Sequence, residues 1–166
     1  LIAFALSIAA LIQIICDYGF NLSATKDIVN YKNNVSKISA INTSVIFIKV
    51  LFLLTTLVLL LAVSAFSEYL VENQKLFFYS LIVVAGNTLL PIWYFQGTEK
   101  MKYLLIYGAI SRVPYTFFIF CFITEKSDYI LVPFLSGICA LFSALLAIGH
   151  IRYLGSIQFS LPSISD

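Results

Sequence analysis

Residues 76–98 read LFFYSLIVVAGNTLLPIWYFQGT, 23 positions without Asp, Glu, Lys or Arg. In a helix rising about 1.5 Å per residue, about 20 residues cross the hydrocarbon core of a bilayer. Comparable uncharged stretches occupy 1–16, 50–67 and 129–151, and 103–124 carries a single charge, Arg112. The uncharged run at 50–67 extends back to Ser44 with one interruption, Lys49. The pattern predicts five spans, at about 1–16, 44–66, 76–97, 103–123 and 129–149, in one transmembrane domain. Backbone polar groups in lipid must be satisfied internally, so the spans are helices. A membrane barrel would need alternating strands of about ten residues, and none is present. The predicted fold class is therefore an all-α polytopic bundle.

Composition leads to the same class. Of the 166 residues, 61% are hydrophobic and only 11% charged, whereas a soluble domain carries about 25% charged residues. The basic residues form no stripe of the kind that binds nucleic acid. The chain opens in an apolar run with no basic n-region and no small-residue cleavage site, so that run does not read as a signal peptide. Position 1 is Leu, and Phe159–Asp166 reads as the approach to a further helix, with Pro162 near its first turn. Both ends suggest a piece of a longer protein.

Lys and Arg set the expected orientation. Segments 17–43, 96–102 and 150–166 fall on one side and hold Lys26, Lys32, Lys37, Lys100, Lys102 and Arg152. Segments 67–75 and 124–128 fall on the other and hold Lys75 and Lys126. Six against two makes the first side cytoplasmic. The sequons at Asn21, Asn34 and Asn42 then lie on that side and read as incidental. Within 17–43, Ile28, Tyr31, Val35, Ile38, Ile41 and Val45 follow three-and-four spacing. The spacing predicts an amphipathic interfacial helix running into the second span, with Asn33 and Asn34 as a possible break.

Nothing in the chain reads as an enzyme. His150 is the one histidine, so neither a zinc-protease pair nor a His-based triad can form. It reads as an interfacial anchor. Cys16, Cys121 and Cys139 have no metal or redox spacing. Asp17 and Asp27 read as membrane-edge caps rather than a carboxylate pair. No glycine-rich phosphate loop is present, and no cofactor is expected.

The spans do carry polar faces. Arg112 lies about 14 Å into the fourth span, where a basic residue costs about 2.5–3.5 kcal/mol on insertion scales. It should face protein or water. Gly108, Ser111 and Tyr115 share its helical face, and Pro114 frees a carbonyl nearby. The expected role is a cavity-lining cation that meets an anion. Lys49, about 8 Å into its span, either snorkels or lines the same cavity. Gln13 in the first span and Asn87, Pro91 and Tyr94 in the third add polar positions. Pro133, Ser136, Gly137, Ala140, Ser143, Ala144 and Ala147 form a small-residue packing face in the fifth. Gln13, Asn87 and Arg112 together predict a polar interior.

Two motifs resemble a known family. Asp17-Tyr-Gly-Phe-Asn-Leu-Ser-Ala-Thr-Lys-Asp27 resembles the cytoplasmic motif after the second span of Wzx-type O-antigen flippases. Pro91-Ile-Trp-Tyr-Phe-Gln-Gly97, followed by Glu99-Lys-Met-Lys102, resembles their signature at the end of the fourth span. Phe159-Ser-Leu-Pro162 is similar to the lead-in to their seventh. The resemblance implies a fold of about a dozen helices in two six-helix lobes, with these five spans as helices two to six. It implies flipping of undecaprenyl-pyrophosphate-linked O-units from the cytoplasmic to the periplasmic leaflet of the bacterial inner membrane. The implied partners are the lipid-linked oligosaccharide, membrane lipids and the O-antigen polymerisation machinery. On this reading Arg112 is the first candidate for the pyrophosphate and Lys49 the second, while Tyr94 and Tyr115 stack on sugar rings. A drug or metabolite antiporter of the same fold, or a non-transporting scaffold, is the alternative.

The orientation has a direct test in whole cells, with Cys16, Cys121 and Cys139 replaced. A single cysteine at Asn33 should resist an impermeant thiol reagent, and one at Glu72 should react. The reverse pattern would invert the topology.

Overall fold

A computed structural model describes residues 2–17, 19–64 and 73–154. Residues 65–72 and the tail from 155, with its Phe159–Pro162 stretch, lie outside the described residues. The described residues form helices joined by short turns, without strands. In order it forms α1 (Ile2–Cys16), α2 (Phe20–Asn30), α3 (Val35–Ser64), α4 (Gln74–Leu89), α5 (Ile92–Gly97), α6 (Lys102–Phe122), a 3-10 turn (Lys126–Ile130) and α7 (Leu131–Tyr153). Five stretches are long and apolar enough to cross a membrane: Ala3–Asn30, Val35–Ala62, Gln74–Gly97, Lys102–Phe122 and Asp128–Tyr153. The chain is a multi-pass membrane protein.

Its outside is apolar. Phe47, Leu51, Leu54 and Val58 lie exposed along α3, and Val113, Phe117 and Phe120 along α6. Lipid is the solvent these faces suit. The small-residue face of α7 points inward, with Gly137, Ala140, Ser143, Ala144 and Ala147 all buried. There α4 packs closely on α7. A Cβ on Gly86 would sit 2.6 Å from that of Ala140, and one on Gly137 would sit 2.8 Å from the Ile82 side chain.

The predicted amphipathic stretch of 28–45 is interrupted where Asn33 and Asn34 mark a break. It breaks at Tyr31–Asn34, and the two halves do different work. In α2, Ala24 and Ile28 are buried, and α2 packs on the short α5. Gly97 makes this approach possible, since a Cβ there would lie 2.7 Å from the Ile28 side chain. The second half belongs to α3, a continuous helix of 30 residues. At about 1.5 Å per residue α3 is about 45 Å long, well beyond a core of about 30 Å. Ile38 and Val45 are buried on it, while Tyr31 and Val35 stay exposed. The spacing reads the apolar positions correctly but joins two separate faces across a break.

Two apolar clusters mark the ends of the bundle. Ala24, Ile28, Ile38, Trp93, Phe95, Tyr107, Ala147 and Ile151 meet at one end. Ala5, Leu76 and Phe77 meet at the other. Lys32 and Glu99 pair at 3.2 Å on the surface of the first end. Such an exposed pair adds little stability, but it places the α2–α3 and α5–α6 connections side by side.

The α4–α7 contact can be probed in detergent on the full-length protein. Gly137→Val forces overpacking worth about 1–3 kcal/mol and should lower the melting temperature. Gly149→Ala on the same helix meets nothing within 4 Å and should leave it unchanged.

Candidate functional site

The site begins with a proline. Pro91 has no N–H and pushes the residue before it out of the helical region. Leu90 is extended accordingly, at φ −61° and ψ 121°. The next amide, Ile92 N, donates to Leu90 O at 2.8 Å. In an unbroken helix it would reach back to Thr88. The Thr88 carbonyl is therefore left at the C-terminal end of α4, where the helix dipole favours a cation.

Lys49 supplies that cation from α3. Its Nζ donates to Thr88 O at 3.0 Å, to Asp17 Oδ1 at 2.7 Å and to Asn21 Oδ1 at 3.0 Å. An ammonium has three N–H donors, so all are committed. Nζ also lies 4.5 Å from the centre of the Trp93 ring, within cation–π range. The residue is 1% exposed. Trp93, fully buried, donates from Nε1 to Asn42 Oδ1 at 3.0 Å, and its carbonyl accepts from Thr25 Oγ1 at 3.3 Å.

Both sequence motifs converge here. The first supplies Asp17 at the end of α1 and Asn21 and Thr25 on α2. Gly19 makes the turn between them at φ +71°, a left-handed conformation suited to glycine. The second supplies Pro91, Trp93 and the seat for α2 at Gly97.

Two expectations are corrected at this point. Lys49, the second candidate for the pyrophosphate, neither snorkels nor lines a cavity, because its charge is spent inside the protein. Asp17 is not an edge cap but the counter-charge of Lys49. Sequence reasoning missed Asp17, Asn21, Thr88 and Trp93 as a group. A usable signal existed, since an in-span lysine needs a partner and Asp17 lies at the edge of the preceding span.

Tyr94 is also displaced from its expected role. It is 2% exposed in the apolar cluster and meets Phe95 edge-on at 5.5 Å, so its ring does not reach a cavity. His150 is more than an anchor. Its Nδ1 shares a hydrogen bond with the Tyr107 hydroxyl at 2.7 Å, and its ring meets Tyr103 at 4.7 Å.

Arg112 has the opposite environment from Lys49. It is exposed and lines a cavity of about 370 Å³ with Asn87, Ser111, Tyr115, Thr116 and Ser136. Among the described residues no carboxylate lies within ion-pair distance of it. A second cavity of about 530 Å³ is lined by Ala10, Gln13, Ile14, Asp17 and Gly19. Each cavity is lined by one partner of the hydrogen bond that Asn87 Nδ2 donates to Gln13 Oε1 at 3.4 Å. The fold thus gathers Gln13, Asn87, Arg112 and Tyr115 along one polar seam and leaves Lys49 and Tyr94 inside the protein. No group of three or more His, Cys, Asp or Glu that could hold a metal occurs among the described residues.

Fold and seam together define a polytopic helical membrane protein in which, among the described residues, the in-span cation Arg112 has no carboxylate within ion-pair distance. The chain belongs to the family described as "Polysaccharide biosynthesis protein", which it matches over residues 1–166. It is similar to a protein of Escherichia coli (strain K12) named "Putative O-antigen transporter", with 29% identity over 151 residues. That alignment covers 89% of this chain and 36% of the relative. A Shigella dysenteriae protein of the same name is 29% identical over 159 residues, covering 93% of this chain and 39% of that one. The chain thus spans well under half the length of these relatives. No solved structure matches.

Proposed function

We propose that the transporter to which these helices belong flips undecaprenyl-pyrophosphate-linked O-antigen units from the cytoplasmic to the periplasmic leaflet of the bacterial inner membrane. The observation that carries this reading is Arg112, a cation in the middle of a membrane helix that opens on a polar cavity and has no counter-charge among the described residues. Family membership and the relatives' names support it.

The chemistry suits such a substrate. A lipid-linked sugar pyrophosphate has an apolar tail, a dianionic linker and a polar glycan. A guanidinium forks onto phosphate oxygens with two parallel hydrogen bonds. Asn87, Ser111 and Thr116 line the same cavity and add donors and acceptors. Tyr115 presents a partly exposed ring there, on which a sugar face stacks. The lipid tail stays in the bilayer beside the exposed apolar face of α6. The polymerisation machinery receives the flipped unit at the outer leaflet. Translocation is movement rather than bond chemistry, so no catalytic residue is assigned.

Substitutions in the full-length protein test the reading, with surface O-antigen and membrane protein level both quantified. Hydrogen bonds to charged groups contribute about 1.5–3 kcal/mol. Arg112→Ala should therefore reduce O-antigen display about tenfold or more at near-normal protein level. Arg112→Lys should keep partial function, because charge survives and the fork does not. Arg112→Glu should be worst. Normal display by a well-expressed Arg112→Ala would remove Arg112 as the anchor.

A further inference from the structure

The Lys49 ammonium sits in a ligand set that needs no lysine. It meets a carboxylate oxygen at 2.7 Å, an amide oxygen at 3.0 Å, a main-chain carbonyl oxygen at 3.0 Å and an aromatic face at 4.5 Å. The oxygens come from the end of α1, from α2 and from the broken end of α4. Hard oxygens from interrupted helices are the ligands with which membrane proteins hold small monovalent cations. We propose that Lys49 is a tethered cation filling such a site, and that its charge positions α1 against α4 so that Gln13 meets Asn87.

The seam depends on the charge through its immediate neighbours. Gln13 lies one turn before Asp17, and the Asp17 amide bonds the Gln13 carbonyl at 2.9 Å. Asn87 directly precedes Thr88. Each main grip of Lys49 therefore adjoins one half of the Gln13–Asn87 contact, whose two partners line one cavity each. Thr88 adds a further unused ligand: its side chain is fully buried, and Oγ1 has no hydrogen-bond partner among the described residues. Without the charge, the Asp17 carboxylate and the Thr88 carbonyl lose what draws them together, and α1 is free to move relative to α4. Lys49 is a positioning residue on this account. It never touches the transported molecule. The inference rests on the proposed function and deepens it, since it names what holds together the Gln13–Asn87 contact of the seam that serves it.

Cross-linking in membranes tests this on the full-length protein. The background carries no other cysteine, and Gln13→Cys with Asn87→Cys reports helix spacing through a short bifunctional thiol reagent. Lys49→Ala should lower the cross-linked yield about tenfold, as expected when one member of a buried charge pair is removed. Propylammonium, which replaces the severed end of the side chain, should restore most of it, while neutral propanol should not. Lys49→Met keeps the bulk without the charge and should stay low with either additive. The exchanged pair Asp17→Lys with Lys49→Asp restores an ion pair but turns a carboxylate on the Thr88 carbonyl, and should stay low too. Wild-type yield from Lys49→Met or from the exchanged pair would overturn the proposal. So would equal rescue by propanol, or a loss of Lys49→Ala from the membrane that propylammonium does not reverse. The reading needs no transport, so failure of the Arg112 test and failure of this one are separable.

Discussion

An ammonium group buried within a membrane span must be surrounded by oxygen, and the arrangement of these helices meets that demand at Lys49. The charge lies halfway along α3 on a side chain that is almost fully buried. One counter-charge is not enough, because an ammonium in low dielectric has three protons to satisfy. Asp17 takes one, Asn21 the second, and the third goes to a carbonyl that only a broken helix can offer. The dependence is mutual. The break at Pro91 would leave Thr88 O as an orphan acceptor in hydrocarbon, at a penalty of several kcal/mol. Each defect supplies what the other lacks.

Lys49 and Arg112 show how partner supply separates two similar charges. Both interrupt apolar spans, and by sequence both are candidates for the same anion. Lys49 is saturated by its own chain, with no donor to spare. Arg112 opens on a cavity edged with neutral polar groups, so its charge is available to something from outside. The guanidinium is also the better instrument for that purpose, being planar, permanently charged and weakly hydrated. A compact ammonium suits the closed site, where a point charge must meet three oxygens from three directions.

The spans were legible because they rest on composition alone. Uncharged runs of membrane length mark helices whatever their neighbours do, and the inward face of α7 was legible from its small residues. Gln13, Asn87 and Arg112 were legible as polar positions in apolar spans, and the fold sets them along one seam. What escaped depends on meetings between distant segments. Asp17 and Lys49 are 32 positions apart, and nothing in helical periodicity joins them. Tyr94 shares its helical face with Asn87 when the helix is taken as continuous, but Pro91 resets the phase and turns the ring into the core. The stripe from Ile28 to Val45 divides at Tyr31–Asn34, where Asn33 and Asn34 mark a break, and its two halves belong to separate helices.

The order of residues at the Lys49 cluster bears on how the protein is made. A membrane chain is threaded into the bilayer from its N-terminus, so a charged span must often wait for later segments before it is neutralised. Here the carboxylate of Asp17 and the amide of Asn21 precede Lys49 in the chain. The lysine thus meets its counter-charge as soon as α3 folds back beside α1 and α2. Only the Thr88 carbonyl and the Trp93 ring arrive afterwards, with the next hairpin. Chain order thus draws two of the three acceptors of Lys49 from residues that precede it, and leaves the third to the kinked helix that follows.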